Sequence, residues 1–123
     1  MSQRGKRTGK KGEELAAAFL GEQGYRIVAR NYRCIYGEID IVAWEGETLA
    51  FVEVKSRRTG DYGSPQLAVD RKKQDKISRV ALHYLAEHRL RECRARFDVA
   101  AVLLSPSQSR IELIRNAFEL TCG

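Results

Sequence analysis

The chain lacks the features that would assign it to most large protein classes. Its 123 residues contain no apolar run near the roughly 20 residues a membrane-spanning helix requires. The N-terminus is basic, but neither an apolar core nor a small-residue cleavage site follows, so no secretory leader is expected. Cysteine is scarce, and Cys34, Cys93 and Cys122 are odd in number and widely spaced, fitting neither a disulfide framework nor a zinc motif. Free thiols in a reducing compartment, most simply a cytoplasm, are the expectation. His83 and His88 stand five apart on a predicted helix, which suits neither a shared metal nor a catalytic pair. There is no phosphate-cradling P-loop, no Gly-x-Gly-x-x-Gly fingerprint and no Gly-x-Ser-x-Gly elbow.

What is present describes one soluble globular domain, with 43% apolar and 31% charged residues. The net charge of +6 is unevenly distributed. Residues 1–12 hold Arg4, Lys6, Arg7, Lys10 and Lys11 and no acid. Residues 13–54 carry three bases against eight acids, and residues 55–79 carry eight bases against three acids. An acidic centre flanked by two basic blocks suits a metal site addressed to a polyanion, because acids grip the metal while Lys and Arg neutralise phosphates.

Periodicity predicts a mobile basic segment over the first dozen residues, then a helix over about 12–23 that Gly24 stops. Strands are predicted over about 25–33, 37–44 and 48–56, followed by a Gly- and Pro-containing loop over 57–65. A helix is predicted over about 70–88, with Ile77, Val80, Ala81, Tyr84 and Leu85 as its apolar stripe and Lys72, Lys73, Lys76 and Arg79 largely off it. An apolar strand over 97–104, a turn at 105–108 and a partner strand over 111–114 complete the reading. Trp44, beside a hairpin turn, reads as a cap on the core.

The densest chemical signal lies in Gly37-Glu38-Ile39-Asp40-Ile41-Val42-Ala43 and Phe51-Val52-Glu53-Val54-Lys55. Asp40, Glu53 and Lys55 interrupt runs of branched apolar residues at period two, so Asp40 is expected to point away from Ile39 and Ile41. Glu53 and Lys55 are expected to project together, with Val52 and Val54 on the core face. Glu45-Gly46-Glu47 is short enough to close a hairpin that brings Asp40 opposite or diagonal to Glu53. Two carboxylates that close raise each other's pKa unless a cation lies between them, and hard oxygen ligands favour magnesium or manganese. The bland alternative is a solvated Glu-x-Lys pair of little energetic consequence.

With Gly12-Glu13-Glu14-Leu15-Ala16, Gly24-Tyr25, Arg30-Asn31-Tyr32-Arg33, Arg96-Phe97-Asp98-Val99 and Asn116-Ala117-Phe118, these segments carry a resemblance spanning nearly all of the chain after the basic arm. The sequence resembles the PD-(D/E)xK nuclease superfamily, and more closely the uncharacterised bacterial YraN-like family, which is similar to archaeal Holliday-junction resolvases. The resemblance implies a restriction-endonuclease-like α/β fold, a central mixed sheet flanked by helices, with a flexible arm over 1–11 and one nuclease-like domain over 12–123. It implies metal ligation by Asp40, Glu53 and the Val54 carbonyl, with Glu13 as an additional acid binding metal directly or through water. Lys55 would orient or activate the attacking water and stabilise phosphate charge. Ile39 stands where the superfamily's name has proline. Arg57, Arg58, Lys72, Lys73 and Lys76 are the expected nucleic-acid contacts. The implied function is magnesium- or manganese-dependent hydrolysis of DNA, with branched or repair intermediates among the candidate substrates and a homodimer by analogy with the resolvases. A non-catalytic nucleic-acid-binding module on the same scaffold is the alternative, and an interaction protein with a merely solvated charged sheet face is a third.

Overall fold

The structure, a computed structural model, describes residues 3–58 and 69–119, with side chains from Gly9 onward. Helix α1 (Gln3–Glu22) leads into strands β1 (Arg26–Cys34), β2 (Gly37–Glu45) and β3 (Thr48–Arg58). Helix α2 (Arg71–Glu87) then returns the chain to β4 (Arg94–Leu104) and β5 (Arg110–Phe118). Element order and type match the periodicity, while several boundaries differ, β4 for one beginning at Arg94.

Helix α1 begins at Gln3, well ahead of the predicted start near Gly12, so much of the basic segment is helical. Lys, Arg and Gln are good helix formers, and once α1 is nucleated each added residue gains a hydrogen bond, which offsets the roughly 1 kcal/mol lost at each glycine. Arg57 and Arg58 close β3 and do not open a loop, because the parallel ladder with β4 continues to Arg58–Leu104. The rest of the expected loop, from Thr59, lies outside the described residues. Strand β5 continues beyond Ile114 to Phe118 across a register shift opposite Phe97–Val99.

The sheet has the order β1-β2-β3-β4-β5, antiparallel except for the β3–β4 pair. That parallel pair needs a crossover, which α2 supplies. Asp70 caps α2 by accepting from the Lys73 amide at 2.8 Å, and the predicted stripe Ile77, Val80, Ala81, Tyr84 and Leu85 is buried. This stripe packs with Ile39, Val42, Leu49, Phe51, Phe97 and Val99 on one face of the sheet. Ala16 and Leu20 of α1 pack with Ile41, Ala43, Ala50, Val52, Ala100 and Val102 on the other. Trp44 is half-buried against the α2-side core, as a cap would be. His83 meets the rings of Tyr32 and Tyr36, and His88 stacks on Tyr84 with centroids 4.0 Å apart.

Helix α1 crosses β3 at close range. A Cβ on Gly12 would lie 1.7 Å from Ser56 Oγ and 2.6 Å from Ser56 Cβ, so the residue before Glu13 must lack a side chain. Among the described residues no helix is long and apolar enough to cross a membrane.

Candidate active site

Strict alternation would put Ile39 and Ile41 on one face, and the structure corrects that expectation. Ile39 belongs to the α2-side core and Ile41 to the α1-side core, so β2 changes face at Asp40. Strand β1 changes face at the same rung. Arg30 pairs with Ile41 and reaches Glu14 on α1, whereas Tyr32 pairs with Ile39 and packs on the α2 side. Between them Asn31 adopts φ 53°, a left-handed conformation that asparagine tolerates better than most residues.

The β2–β3 ladder runs from Glu45–Thr48 to Ile41–Val52 and ends there. The next rung would pair Asp40 with Glu53. At this point β2 stays with β1 and β3 stays with β4, opening the sheet between them. Asp40 Oδ2 accepts the Val54 amide proton at 2.7 Å, taking the place of a ladder carbonyl. The N–H and C=O of one strand residue share an edge, so the Val54 carbonyl opens toward the same split.

Glu53 is buried, and its carboxyl lies within hydrogen-bond reach of Asp40. Burial and the Glu53 carboxyl together push the Asp40 pKa up to about 8, against the pull of the Val54 amide, and Glu13 adds further negative charge. Asn31, with its amide nitrogen turned toward the acids, donates to Glu13 Oε1 at 3.0 Å and Glu38 Oε1 at 3.2 Å. Lys73, from the first turn of α2, brings Nζ to 3.2 Å from Glu53 Oε2. Lys72 and Lys76 flank it as exposed cations. Lys55 follows at the alternation of Glu53 and is half-buried, as are Arg57 and Arg58 further along β3.

The fold thus brings Asp40, Glu53 and the Val54 backbone together, sets Glu13 within electrostatic range and adds one member of the basic α2 face. Among the described residues no group of three or more His, Cys, Asp or Glu is placed to hold one metal ion. The anionic set is two carboxylates. A magnesium ion keeps several waters and is ordinarily held by one or two carboxylates, so this set fits such an ion, with the Val54 carbonyl as a third protein oxygen.

A second charged cluster escaped the sequence reading. Asp98 is fully buried and accepts from Tyr25 Oη at 2.8 Å, Arg96 Nε at 2.9 Å and the Asn116 amide at 2.9 Å. Arg96 also reaches Glu45, which Arg115 engages with two nitrogens. Arg115, opposing the effect of burial and helped by Arg96, holds Glu45 below the usual carboxylate range. Asn116 adopts φ 55°, the conformation that presents its amide to Asp98. The available signal was Arg96-x-Asp98, two charges sharing one face of an otherwise apolar strand. No buried side-chain polar atom among the described residues lacks a partner, so this cluster is a satisfied tie between Tyr25, just ahead of β1, and strands β2, β4 and β5.

A single small α/β domain with two helices on a five-stranded mixed sheet, opened between β2 and β3, is compatible with a restriction-endonuclease-like fold. The chain belongs to the uncharacterised protein family UPF0102, whose profile matches residues 12–102. It is 60% identical over 117 residues to a UPF0102 protein of Syntrophus aciditrophicus, covering 95% of this chain and 92% of that one. A UPF0102 protein of Geobacter sulfurreducens is 57% identical over 113 residues, covering 91% and 88%, and one of Moorella thermoacetica is 45% identical over 115 residues, covering 92% and 96%.

Proposed function

We propose that the protein is a nuclease that hydrolyses phosphodiester bonds in DNA with magnesium or manganese bound at Asp40 and Glu53. The observation that supports this most strongly is the meeting of Asp40 and Glu53 where β2 and β3 part, with the Asp40 pKa raised to about 8. Two carboxylates held this close at neutral pH call for a proton or a cation between them. The site lies on a basic flank made by the first turn of α2, which suits an incoming phosphate chain.

A divalent ion at this position would supply acidified water and relief of phosphate charge. Asp40 and Glu53 hold it, with Asp40 fixed by the Val54 amide. Lys55, two residues along β3 from Glu53 and half-buried, is the cation that would orient the attacking water and offset charge growing on the phosphate, more effectively there than in bulk water. Glu13, which accepts from Asn31, would be held in position to bind an outlying water. Lys72 and Lys76 contact the backbone on either side of the scissile bond, and Arg57 and Arg58 extend that surface along β3. Branched DNA is the preferred substrate class and a homodimer the working assembly, both by analogy with the junction resolvases.

The test is incubation of purified protein with labelled duplex, single-stranded and four-way-junction DNA, with magnesium, manganese or EDTA. Metal-dependent cleavage of at least one substrate is expected. A folded protein that cuts none of them but binds DNA in a salt-sensitive way, unchanged by Asp40→Asn, would instead be a binding module on this scaffold.

A further inference from the structure

Resting on the metal-site reading above, we propose that Lys73 is the site's internal counter-ion, and that its release from Glu53 couples metal binding to nucleic-acid binding. Its ammonium lies 3.2 Å from Glu53 Oε2. The two partners differ in exposure: the Glu53 side chain is 11% exposed and that of Lys73 is 51% exposed. The acid is therefore held inside the split, whereas half of the base's side chain meets solvent.

The root of Lys73 does not move with its tip. Its amide is bound by the Asp70 cap at 2.8 Å, anchoring the residue in the first turn of α2. From there a flexible four-carbon stem carries a compact charge with three rotatable donors, which can swing between two acceptors. One acceptor is Glu53. The other is a phosphate on the rim formed by exposed Lys72 and Lys76, the latter one helical turn along the same side.

Glu53 cannot keep the ammonium and also bind a dication without placing two positive charges in near contact. Metal entry therefore turns Lys73 outward and adds one cation to the rim facing the phosphates. Coupling of this kind is reciprocal: a phosphate that captures Lys73 unmasks Glu53 and raises metal affinity, and the metal raises nucleic-acid affinity by the same factor. The site loads when its substrate arrives.

The test is calorimetric and does not require turnover. Mn2+ is titrated into the full chain without nucleic acid, and again with a short duplex whose phosphorothioate linkages resist hydrolysis. Lys73→Gln is expected to bind Mn2+ alone roughly two- to fivefold more tightly, the range a partly exposed ion pair spans. Lys73→Arg keeps the competing charge and should stay close to wild type. The duplex should strengthen Mn2+ binding by wild type and do so much less for Lys73→Gln. Measurable Mn2+ binding that Lys73→Gln leaves unchanged in both titrations, with circular dichroism showing the variant folded, overturns the role of Lys73 alone. Absence of Mn2+ binding by every folded protein, with and without duplex, overturns the metal site and this inference together.

Discussion

Val54 gives its amide proton to Asp40 Oδ2 at 2.7 Å across the point where β2 and β3 part company. The contact does two jobs. It satisfies a backbone donor that has lost its ladder carbonyl, and it fixes a carboxylate beside Glu53 with a raised pKa. The same hydrogen bond that ends the β2–β3 ladder begins the candidate site.

The pH dependence of stability follows from that pair. An aspartate in the unfolded chain titrates near 4, whereas Asp40 in the fold titrates at about 8. Between these values the folded state holds a proton that the unfolded state has released, so stability falls as pH rises from about 4 to about 8. Urea unfolding in EDTA should give a lower midpoint at pH 8 than at pH 5.5. Asp40→Asn should flatten this slope and stabilise the metal-free protein at pH 8 by about 1–2 kcal/mol. Saturating Mn2+ should reverse the trend for wild type and leave Asp40→Asn unaffected.

Chemistry and binding should separate by residue. Asp40→Asn, Glu53→Gln and Lys55→Met are each expected to lower the single-turnover cleavage rate by about 100-fold or more, as loss of a transition-state contact does. Lys72→Gln and Lys76→Gln should weaken DNA affinity and each reduce the salt slope by about 1, leaving the rate at saturation near wild type. Filter binding across a salt series, paired with quenched-flow cleavage, measures both. A uniform loss across all five variants would contradict this division.

Gly12→Ala is a packing test. Its methyl would collide with Ser56, and overpacking of this kind is expected to destabilise by about 1–3 kcal/mol. Adding Ser56→Gly removes both clashing atoms and should recover much of the loss, although glycine weakens a strand. Thermal melts of the two single variants and the double variant decide the matter, and additive losses would count against a direct collision.

The buried cluster around Asp98 makes a further prediction about stability. Arg96→Met leaves a fully buried carboxylate with neutral partners and should destabilise by about 3 kcal/mol or more, read from the urea midpoint. Arg115→Met removes an exposed partner of Glu45 and should lower stability by less than about 1 kcal/mol.

The sequence specified the number, order and type of elements well, because α2 carries an unbroken stripe from Ile77 to Leu85 and the strands are rich in branched residues. The two-residue turn around Gly46 set the register that aligns Asp40 with Glu53. Two features were not legible. Alternation assumes a flat pleat, and the left-handed Asn31 inverts it on β1 at the rung where β2 inverts at Asp40. Long-range charge partners were also hidden: Lys73 meets Glu53, and Asp98 gathers Tyr25, Arg96 and Asn116, from segments that spacing alone does not bring together.

The paired inversion at Asn31 and Asp40 separates the β1–β2 turn from the split between β2 and β3. Ile35 and Tyr36 at that turn are solvent-exposed, and the Cys34–Gly37 rung closes the hairpin on the near side of the twist. The aim of the Asp40 carboxylate is thus settled downstream of the tip. Substitutions at those two positions leave the Asp40–Val54 contact in place, which makes this turn a point where the surface can vary without disturbing the split between β2 and β3.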